Sequence, residues 1–251
     1  MQLKWPFFQG HVFFAVRNSQ GFFKALDDLV ASFRPDCGVF AGDNLITWSK
    51  SQGWTKDEAF VTAFNAHAVT PVERTIVWRT VTLAWAVRQA LRTDGDLVEC
   101  GCYEGTTARI LYDVAALADS PRRMFLYDLF DGADDVALHG LAAHGPGLEG
   151  RVRARFADLP NVVITQGSVP ESFATAAPDR IAFLHIDMNN ANAEIGALEG
   201  LFGRMAPGGV IVLDDFGWTP YHEQMTRERA WFAERGYFVL DLPTGQGMVI
   251  C

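Results

Sequence analysis

From Asp96 to the C-terminus, short apolar runs alternate with stretches that have the apolar spacing of amphipathic helices. The predicted strands are Leu97–Cys100, Met124–Tyr127, Val162–Thr165, Ile181–Ile186 and Val210–Leu213. The predicted helices are Thr106–Leu117, Leu148–Leu159, Asn192–Arg204 and His222–Arg235. Because the strands are almost continuously apolar, both of their faces are expected to be buried, as in a parallel sheet covered by helices. The sequence therefore predicts an α/β fold.

Two further strands are predicted at the C-terminus, Tyr237–Leu240 and Met248–Cys251. The segment that joins them, Asp241–Gly247, is too short to hold a crossover helix. Parallel neighbours need such a crossover, so these two strands are expected to be antiparallel to each other. The prediction is a mostly parallel, seven-stranded sheet with a reversed last strand.

Residues 1–70 have a different character, since they are rich in Phe and Trp. Helices are predicted at Phe22–Phe33 and Lys56–Phe64, and a longer one at Val72–Leu91 leads into the first strand. We expect residues 1–70 to form a helical, aromatic cap over the ligand crevice of a second domain, residues 71–251. An apolar segment that serves only as the interface of a homo-oligomer is the alternative.

The bulk properties exclude several classes of protein. A formal net charge of −9 disfavours a nucleic-acid partner, because phosphate binding needs clustered Lys and Arg. No run reaches the roughly 18 apolar residues of a membrane span, and polar residues interrupt the N-terminus where a signal peptide would have its apolar core. The four dispersed cysteines suggest neither a zinc site nor a disulfide framework. These features predict a soluble, cytoplasmic protein.

Three aspartates follow two of the predicted strands. Asp187 ends Ile181–Ile186, and Asp214 and Asp215 end Val210–Leu213. Strand C-termini line the ligand crevice of an open parallel sheet, and neighbouring strands lie about 4.8 Å apart. Carboxylates at such a short distance repel one another unless a proton or a cation compensates their charge. Mg²⁺, which prefers oxygen ligands, is the predicted cation, and capping of the following loops is the alternative.

A glycine-containing turn follows the first strand of the sheet and precedes a helix. Gly101 and Gly105 permit close backbone approach, and the helix that starts at Thr106 offers free amide donors. The dinucleotide fingerprint would need glycines at Tyr103 and Thr106, so a pyrophosphate fits poorly. The singly charged carboxylate of a methionine moiety does not need them.

Acidic residues near this turn suggest a nucleoside. Asp128 ends the second strand, where a carboxylate can accept both ribose hydroxyls, a feature that NAD and S-adenosylmethionine share. Glu99 lies inside an apolar strand and would face a cofactor amino group, help to hold the metal, or accept backbone amides. The complete set of predicted cofactor contacts is Glu99, Cys100, Gly101, Tyr103, Gly105, Thr106, Asp128, Leu129, Gly167 and Ser168.

Four segments resemble the macrocin O-methyltransferase family. Members of this family are class I S-adenosylmethionine-dependent methyltransferases, and many act on sugars of natural products. The segments are Glu99–Gly105, Leu184–Asp187, Ala206–Gly217 and Leu242–Gly247, and the resemblance runs from about Arg74 to the C-terminus. It implies a Rossmann-like sheet of seven strands. It also implies cofactor contacts at Glu99, Gly101 and Asp128, and Mg²⁺ held by Asp187, Asp214 and Asp215.

One position departs from this family. Several relatives have a second acid two residues after the first metal aspartate, and this chain has Asn189, whose amide cannot accept a proton. His222 is then the nearest base in sequence after the metal aspartates, so we assign Asp187 and His222 as the catalytic residues. A purely structural histidine at this helix start is the alternative, and we expect His185 to be a packed core histidine.

The leading interpretation is O-methyl transfer to a hydroxyl of a sugar or another small polyhydroxylated metabolite, with S-adenosylmethionine and Mg²⁺. A non-catalytic nucleotide- or S-adenosylmethionine-binding protein with a degenerate acceptor site is the main alternative, because of Asn189. A nicotinamide dehydrogenase is a weaker one, because the dinucleotide fingerprint is incomplete and three acids end the strands.

Overall fold

A computed structural model describes residues 7–130 and 143–251, and the chain folds as two compact units, Met1–Val81 and Thr82–Cys251. The division falls inside the long helix that the sequence predicts over Val72–Leu91. The first six residues of the predicted cap lie outside the described residues. The function of the first unit as a cap stays a prediction.

The first unit contains strands as well as helices. Its sheet has the order β1-β2-β3, where β1 is Phe7–Gln9, β2 is Val39–Gly42 and β3 is Leu45–Trp48. Strand β1 is parallel to β2, and β2 is antiparallel to β3. The helices of this unit are α1 (Ser19–Ala31), a 3₁₀ turn (Gly53–Lys56), α2 (Glu58–His67) and α3 (Pro71–Thr75). The two helices predicted in this part are present, and the small sheet is a feature that the sequence prediction of a helical, aromatic cap did not include.

The hairpin between β2 and β3 explains this difference. Its two turn residues, Asp43 (φ 50°) and Asn44 (φ 56°), are both left-handed, which is the backbone of a type I′ turn. The Asp43 carboxylate is buried and accepts two hydrogen bonds from Arg79, at 2.7 and 2.9 Å. The sequence of these two residues is typical of a turn. The strands on either side are only four residues long, however, and a pattern that short does not distinguish a strand from a loop.

The helix predicted over Val72–Leu91 is two helices, α3 and α4 (Val77–Ala90). A capping box starts α3: the Glu73 amide donates to the Thr70 hydroxyl at 3.2 Å, and the Thr70 amide donates to the Glu73 carboxylate at 2.7 Å. The break at Ile76 lies among β-branched residues, whose stiff side chains lower helix propensity.

The second unit is built on a seven-stranded sheet with the order β6-β5-β4-β7-β8-β10-β9. The described residues of this unit include β4 (Asp96–Cys100), α5 (Thr106–Val114), β5 (Met124–Asp128), α6 (Leu148–Arg155), β6 (Val162–Gln166) and β7 (Ile181–Ile186). They are followed by α7 (Ala191–Leu201), β8 (Met205–Leu213), α8 (His222–Ala233), β9 (Leu240–Asp241) and β10 (Gly247–Ile250). Short 3₁₀ turns lie at Leu117–Asp119, Glu171–Ala174, Phe202–Arg204 and Thr219–Tyr221. The Rossmann-like α/β fold is confirmed.

The last strands reverse as predicted. Strand β10 is antiparallel to both β8 and β9, while β4 to β8 are mutually parallel. Every residue of β5 and β7 is buried, which matches strands covered on both faces. Strand β9 is shorter than the predicted Tyr237–Leu240 and begins only at Leu240. Among the helices described, none has the length and apolar character that a membrane span needs.

Candidate active site

Five of the predicted site residues lie along one edge of the large sheet, where its parallel strands end: Gly101, Asp128, Gly167, Asp187 and Asp214. Four backbone hydrogen bonds connect these ends. Gly167 donates to the Asp128 carbonyl at 3.0 Å, and Gly101 donates to the Tyr127 carbonyl at 2.8 Å. Asp187 donates to the Cys100 carbonyl at 2.8 Å, and Asp214 donates to the Ile186 carbonyl at 2.9 Å. The carboxyl ends of β6, β5, β4, β7 and β8 thus form a continuous rim.

Glycine is required at two points of the turn after β4. Gly101 has φ +87°, and a Cβ there would overlap the carbonyl oxygen of Asp187. Gly105 has φ +73° and is the N-cap of α5, where a Cβ would lie 2.7 Å from the Phe156 ring. Both residues occupy the left-handed region, which glycine adopts without strain. The turn therefore packs directly against the end of β7.

The two cysteines of this turn are poorly placed for nucleophilic chemistry. Cys100 and Cys102 are both buried. Burial, followed by the charge of nearby carboxylates, raises the pKa of each thiol well above its ordinary value. A neutral thiol is a poor nucleophile and a poor metal ligand, so these residues contribute packing and backbone. Thr106 begins α5, and its hydroxyl accepts a hydrogen bond from Arg155 at 3.0 Å.

Asp128 organises the cofactor loop. Its Oδ2 accepts the amide of Tyr103 at 2.7 Å, and its Oδ1 accepts the amide of Phe130 at 2.8 Å. The same Oδ1 lies 3.3 Å from Nε2 of His144. The carboxylate is buried, and it links the turn after β4, the end of β5 and the segment before α6.

His144 was not identified from the sequence. Its ring lies with its centroid 5.0 Å from that of Tyr103, and the Tyr103 hydroxyl accepts the amide of Ala143 at 2.7 Å. Its Nδ1 is buried and has no hydrogen-bond partner among the described residues. Nothing in the sequence marked this histidine, because it lies in an irregular segment outside every predicted element.

The end of β6 forms the far part of the rim. The carbonyl of Leu129 accepts a hydrogen bond from the Gln166 side chain at 3.3 Å. Gly167 has φ +141°. Ser168 is exposed, and its backbone carbonyl accepts a hydrogen bond from the Ser172 amide at 2.8 Å. The predicted residues Leu129, Gly167 and Ser168 thus continue the edge on which Asp128 lies.

A buried chain of polar side chains crosses the centre of the sheet. Nδ1 of His185 lies 2.8 Å from Oε1 of Glu99, and its Nε2 lies 3.4 Å from Oδ1 of Asp214. Gln246 donates to that same Asp214 oxygen at 2.7 Å and is itself joined to Thr244 at 2.9 Å. The sequence alternatives for Glu99 did not include His185. The expectation that His185 lies packed in the core agrees with its 1% exposure.

The charges of this chain compensate one another. Burial alone would lower the pKa of His185, but its hydrogen bonds to Asp214 and Glu99 outweigh burial and raise the pKa to about 10. Burial raises the pKa of Glu99, and the contact with His185 opposes that rise. The second oxygen of Glu99, Oε2, is buried without a hydrogen-bond partner in the described part of the chain.

Two of the three predicted metal aspartates meet. Ligand atoms of Asp187, Asp214 and His185 all lie within 4.8 Å of one another, and Asp187 is half-buried. Both nitrogens of His185 already contact carboxylates, which leaves the two aspartates as the oxygen donors. Asp215 is half-buried and is not part of this cluster. Its charge acts on Glu228 of α8. His222 is exposed at the first residue of α8.

The loop after Asp187 is held by buried acids. Asn189 has φ +54°, and its Oδ1 is buried without a partner in residues 7–130 and 143–251. Glu194 accepts the Met188 amide at 3.1 Å and the side-chain amide of Gln224 at 2.9 Å. Glu194 also contacts Glu228, and no donor among the described residues reaches either Glu228 oxygen. Two carboxyl groups in contact must share a proton.

Sequence comparison relates this chain to methyltransferases. Residues 98–216 match a family described as a methyltransferase domain. In an alignment of 141 residues that covers 49% of this chain, the sequence is 28% identical to 8-demethyl-8-(2,3-dimethoxy-alpha-L-rhamnosyl)-tetracenomycin-C 4'-O-methyltransferase of Streptomyces olivaceus. The chain spans about half of that curated relative, 53% of its length.

Solved structures show the same fold. The O-methyltransferase NovP superposes with a TM-score of 0.59 at 20% identity, over 69% of this chain and 79% of NovP. CalS11, a calicheamicin methyltransferase, superposes with a TM-score of 0.55 at 16% identity, over 94% of this chain and 93% of its own. At these identities the likeness establishes the fold of the sheet and its helices.

Proposed function

We propose that this chain, whose residues 98–216 lie in a class I S-adenosylmethionine-dependent methyltransferase domain, transfers a methyl group to a hydroxyl of a sugar or a similar polyhydroxylated metabolite. The observation that carries the proposal is the rim of the sheet. There the glycine turn and Asp128 lie beside the paired carboxylates of Asp187 and Asp214. We propose that the nucleoside cofactor binds at the glycine turn and Asp128, and that the hydroxylated acceptor binds beside it at Asp187 and Asp214.

The residues at the turn fit the amino-acid end of S-adenosylmethionine. Glu99 Oε2 is a buried acceptor without a partner in the described chain, which suits a cationic amino group. The N-terminus of α5, reached through Gly105, offers amide donors to a carboxylate. Asp128 lies at the end of β5, where a carboxylate recognises ribose. These three features are independent, and they agree on one ligand.

The residues at the end of β7 and β8 fit a divalent cation. Asp187 and Asp214 bring carboxylate oxygens together, and Mg²⁺ in proteins is commonly held by one or two carboxylates and water. Asp215 lies outside this cluster, and we keep it in the proposal only as a third, weaker ligand. When bound, the cation would lower the pKa of the acceptor hydroxyl and fix its orientation.

The chain's own residues would place the two reactants in line. In this transfer the acceptor oxygen would form a C–O bond to the methyl group, and the sulfur would keep the electron pair of the broken S–CH₃ bond, as S-adenosylhomocysteine. The hydroxyl proton goes to a base, for which we propose His222, since Asn189 cannot accept it. Asp187 and Asp214 hold the hydroxyl at the rim, and most of the acceleration would come from this positioning.

The sequence relative supports a sugar as the acceptor, because its name places a methyl group on a rhamnosyl unit. The net charge of −9 supports a small molecule over a nucleic acid. A cytoplasmic location and a possible homo-oligomer remain part of this proposal.

The test is methyl transfer from labelled S-adenosylmethionine to a panel of rhamnosides and other deoxysugar glycosides, with Mg²⁺ and after chelation by EDTA. We expect labelled product only with a glycoside and only when the cation is present. Asn189 favours one second candidate, a cofactor-binding protein without catalysis. Binding of S-adenosylmethionine that is indifferent to Mg²⁺, without turnover of any acceptor in the panel, would support that candidate instead.

A further inference from the structure

We propose that His144 binds the nucleoside of the cofactor and accepts a hydrogen bond on Nδ1 from a ribose hydroxyl. The inference rests on the proposed function, since it requires S-adenosylmethionine at Asp128. It adds a residue outside every sequence motif, and three observations carry it: the contact to Asp128, the fixed position of the ring, and the buried Nδ1.

The contact to Asp128 decides which nitrogen of His144 carries the proton. Oδ1 of Asp128 already accepts the Phe130 amide, and the carboxylate has no hydrogen to offer. The 3.3 Å contact therefore needs a hydrogen on Nε2 of His144. In the neutral imidazole, Nδ1 is then an acceptor with a free lone pair. Asp128 thus selects the tautomer that can accept from a ligand.

The ring is held in place without help from a ligand. The Ala143 amide donates to the Tyr103 hydroxyl at 2.7 Å, and the Ala143 carbonyl accepts from Arg151 at 3.2 Å. The Tyr103 ring lies against the imidazole, with the ring planes inclined by 55°. Asp128, Tyr103 and Arg151 all belong to the second unit, so residues of the same unit hold His144 in position.

The state of Nδ1 indicates a ligand donor. This atom is buried, and no donor in residues 7–130 or 143–251 reaches it. A buried acceptor without a partner is costly, and a ligand donor that reaches it would remove this cost. The donors that a nucleoside presents near a strand-end carboxylate are its two ribose hydroxyls. We therefore assign Nδ1 to one of them, with Asp128 as the acceptor for the other.

The experiment measures binding of S-adenosylhomocysteine and of its 2′-deoxy and 3′-deoxy analogues by calorimetry. The proteins are the wild type, His144→Phe, which keeps an aromatic ring without an acceptor, and His144→Gln, which restores an amide oxygen. His11→Phe, at an exposed histidine of the first unit, is the matched control. We expect His144→Phe to weaken binding about tenfold, and His144→Gln to recover part of the loss. We also expect His144→Phe to abolish the discrimination against one deoxy analogue.

Three results would overturn the assignment. The first is that His144→Phe binds S-adenosylhomocysteine with unchanged affinity. The second is that His144→Phe loses the same affinity for all three ligands, which is the result expected for a contact to adenine. The third is a protonated Nδ1 in the nitrogen NMR spectrum of the ligand-free wild type. The NMR measurement needs no variant, so it decides even if His144→Phe does not fold. Failure of the wild type to bind S-adenosylhomocysteine would instead refute the proposed function. A wild type that binds it while His144→Phe binds equally well refutes the His144 assignment alone.

Discussion

Nδ1 of His185 lies 2.8 Å from Oε1 of Glu99, and this contact joins β4 to β7 in the middle of the sheet. Both side chains are almost completely buried. The same imidazole reaches Asp214, so one buried ring faces carboxyl groups on both sides. The histidine therefore links the cofactor strand to the strand that carries the proposed cation site.

We predict that His185→Leu lowers the free energy of unfolding by about 3–5 kcal/mol, because it leaves buried carboxylates without their compensating charge. The double variant Glu99→Gln with His185→Leu should recover part of this loss, since Glu99 is then uncharged. Urea denaturation gives both values. The control is His222→Leu, at an exposed histidine. Equal stability of the wild type and His185→Leu would show that the pair contributes nothing to folding.

Replacement of Asp128 should weaken S-adenosylmethionine binding. Asp128→Ala removes charge-assisted hydrogen bonds worth on the order of 1.5–3 kcal/mol each, so affinity should fall at least about tenfold. Because Asp128 also accepts the amides of Tyr103 and Phe130, we expect Asp128→Asn, which keeps one acceptor oxygen, to be milder. Calorimetry measures both variants. A folded Asp128→Ala protein with wild-type affinity would contradict the assignment.

Mg²⁺ should stabilise the folded protein, by about 2.7 kcal/mol at one hundred times its dissociation constant. Asp214→Asn should abolish this stabilisation and most methyl transfer while S-adenosylmethionine still binds. Asp215→Asn should be milder, because the side chain of Asp215 lies outside the cluster of Asp187 and Asp214. Thermal melts with and without MgCl₂ test this. Full turnover by protein shown to be metal-free would leave the aspartates as capping residues.

Glu228 should make stability fall as pH rises. Burial, and then the charge of Glu194, raises the pKa of Glu228 well above its ordinary value of 4.5. A carboxyl whose pKa is raised in the folded state contributes stability that is complete below the unfolded pKa and is lost as pH rises through the folded pKa. Glu228→Gln stays uncharged and can donate to Glu194, so its stability should fall less with pH.

The stability gain of Glu228→Gln over the wild type should grow as the pH rises above the ordinary carboxyl pKa of 4.5, because only the wild type must then ionise a buried carboxyl group. Urea denaturation in EDTA at a series of pH values measures it. Glu223→Gln, on the same helix with a side chain that is 73% exposed, is the control and should follow the wild type. Parallel curves for wild type and Glu228→Gln would rule out the raised pKa.

The first unit should affect acceptor use more than cofactor affinity, because exposed aromatic rings suit the apolar faces of sugars. Deletion of Met1–Asn18, which the sequence alone would suggest, removes β1 and disturbs the small sheet. Point variants are the better test: Trp48→Ser and Phe14→Ser, at rings that are 50% and 42% exposed. We expect KM for the acceptor to rise while the Kd for S-adenosylmethionine stays constant. An equal change in both constants would assign these rings a structural role.

The large sheet could be predicted from the sequence because its signals are local. Continuous apolar strands, the short link before the last strand, and aspartates at the strand ends all lie within single segments. In a parallel sheet the strand ends share one edge, so the position of Asp128, Asp187 and Asp214 on the rim followed from their place in each strand. The type I′ hairpin of the first unit was missed because its strands are only four residues long.

The partners of the buried charges were decided by the tertiary structure alone. Glu99 and His185 are 86 residues apart, and they meet because β4 and β7 are neighbours in a register that pairs them. His144 reaches Asp128 through an irregular segment that has no periodic pattern. The sequence determined which residues end each strand. The contacts between side chains depend on strand order, register and loop path. The packing of the whole unit fixes these three features, so they cannot be predicted from any single segment.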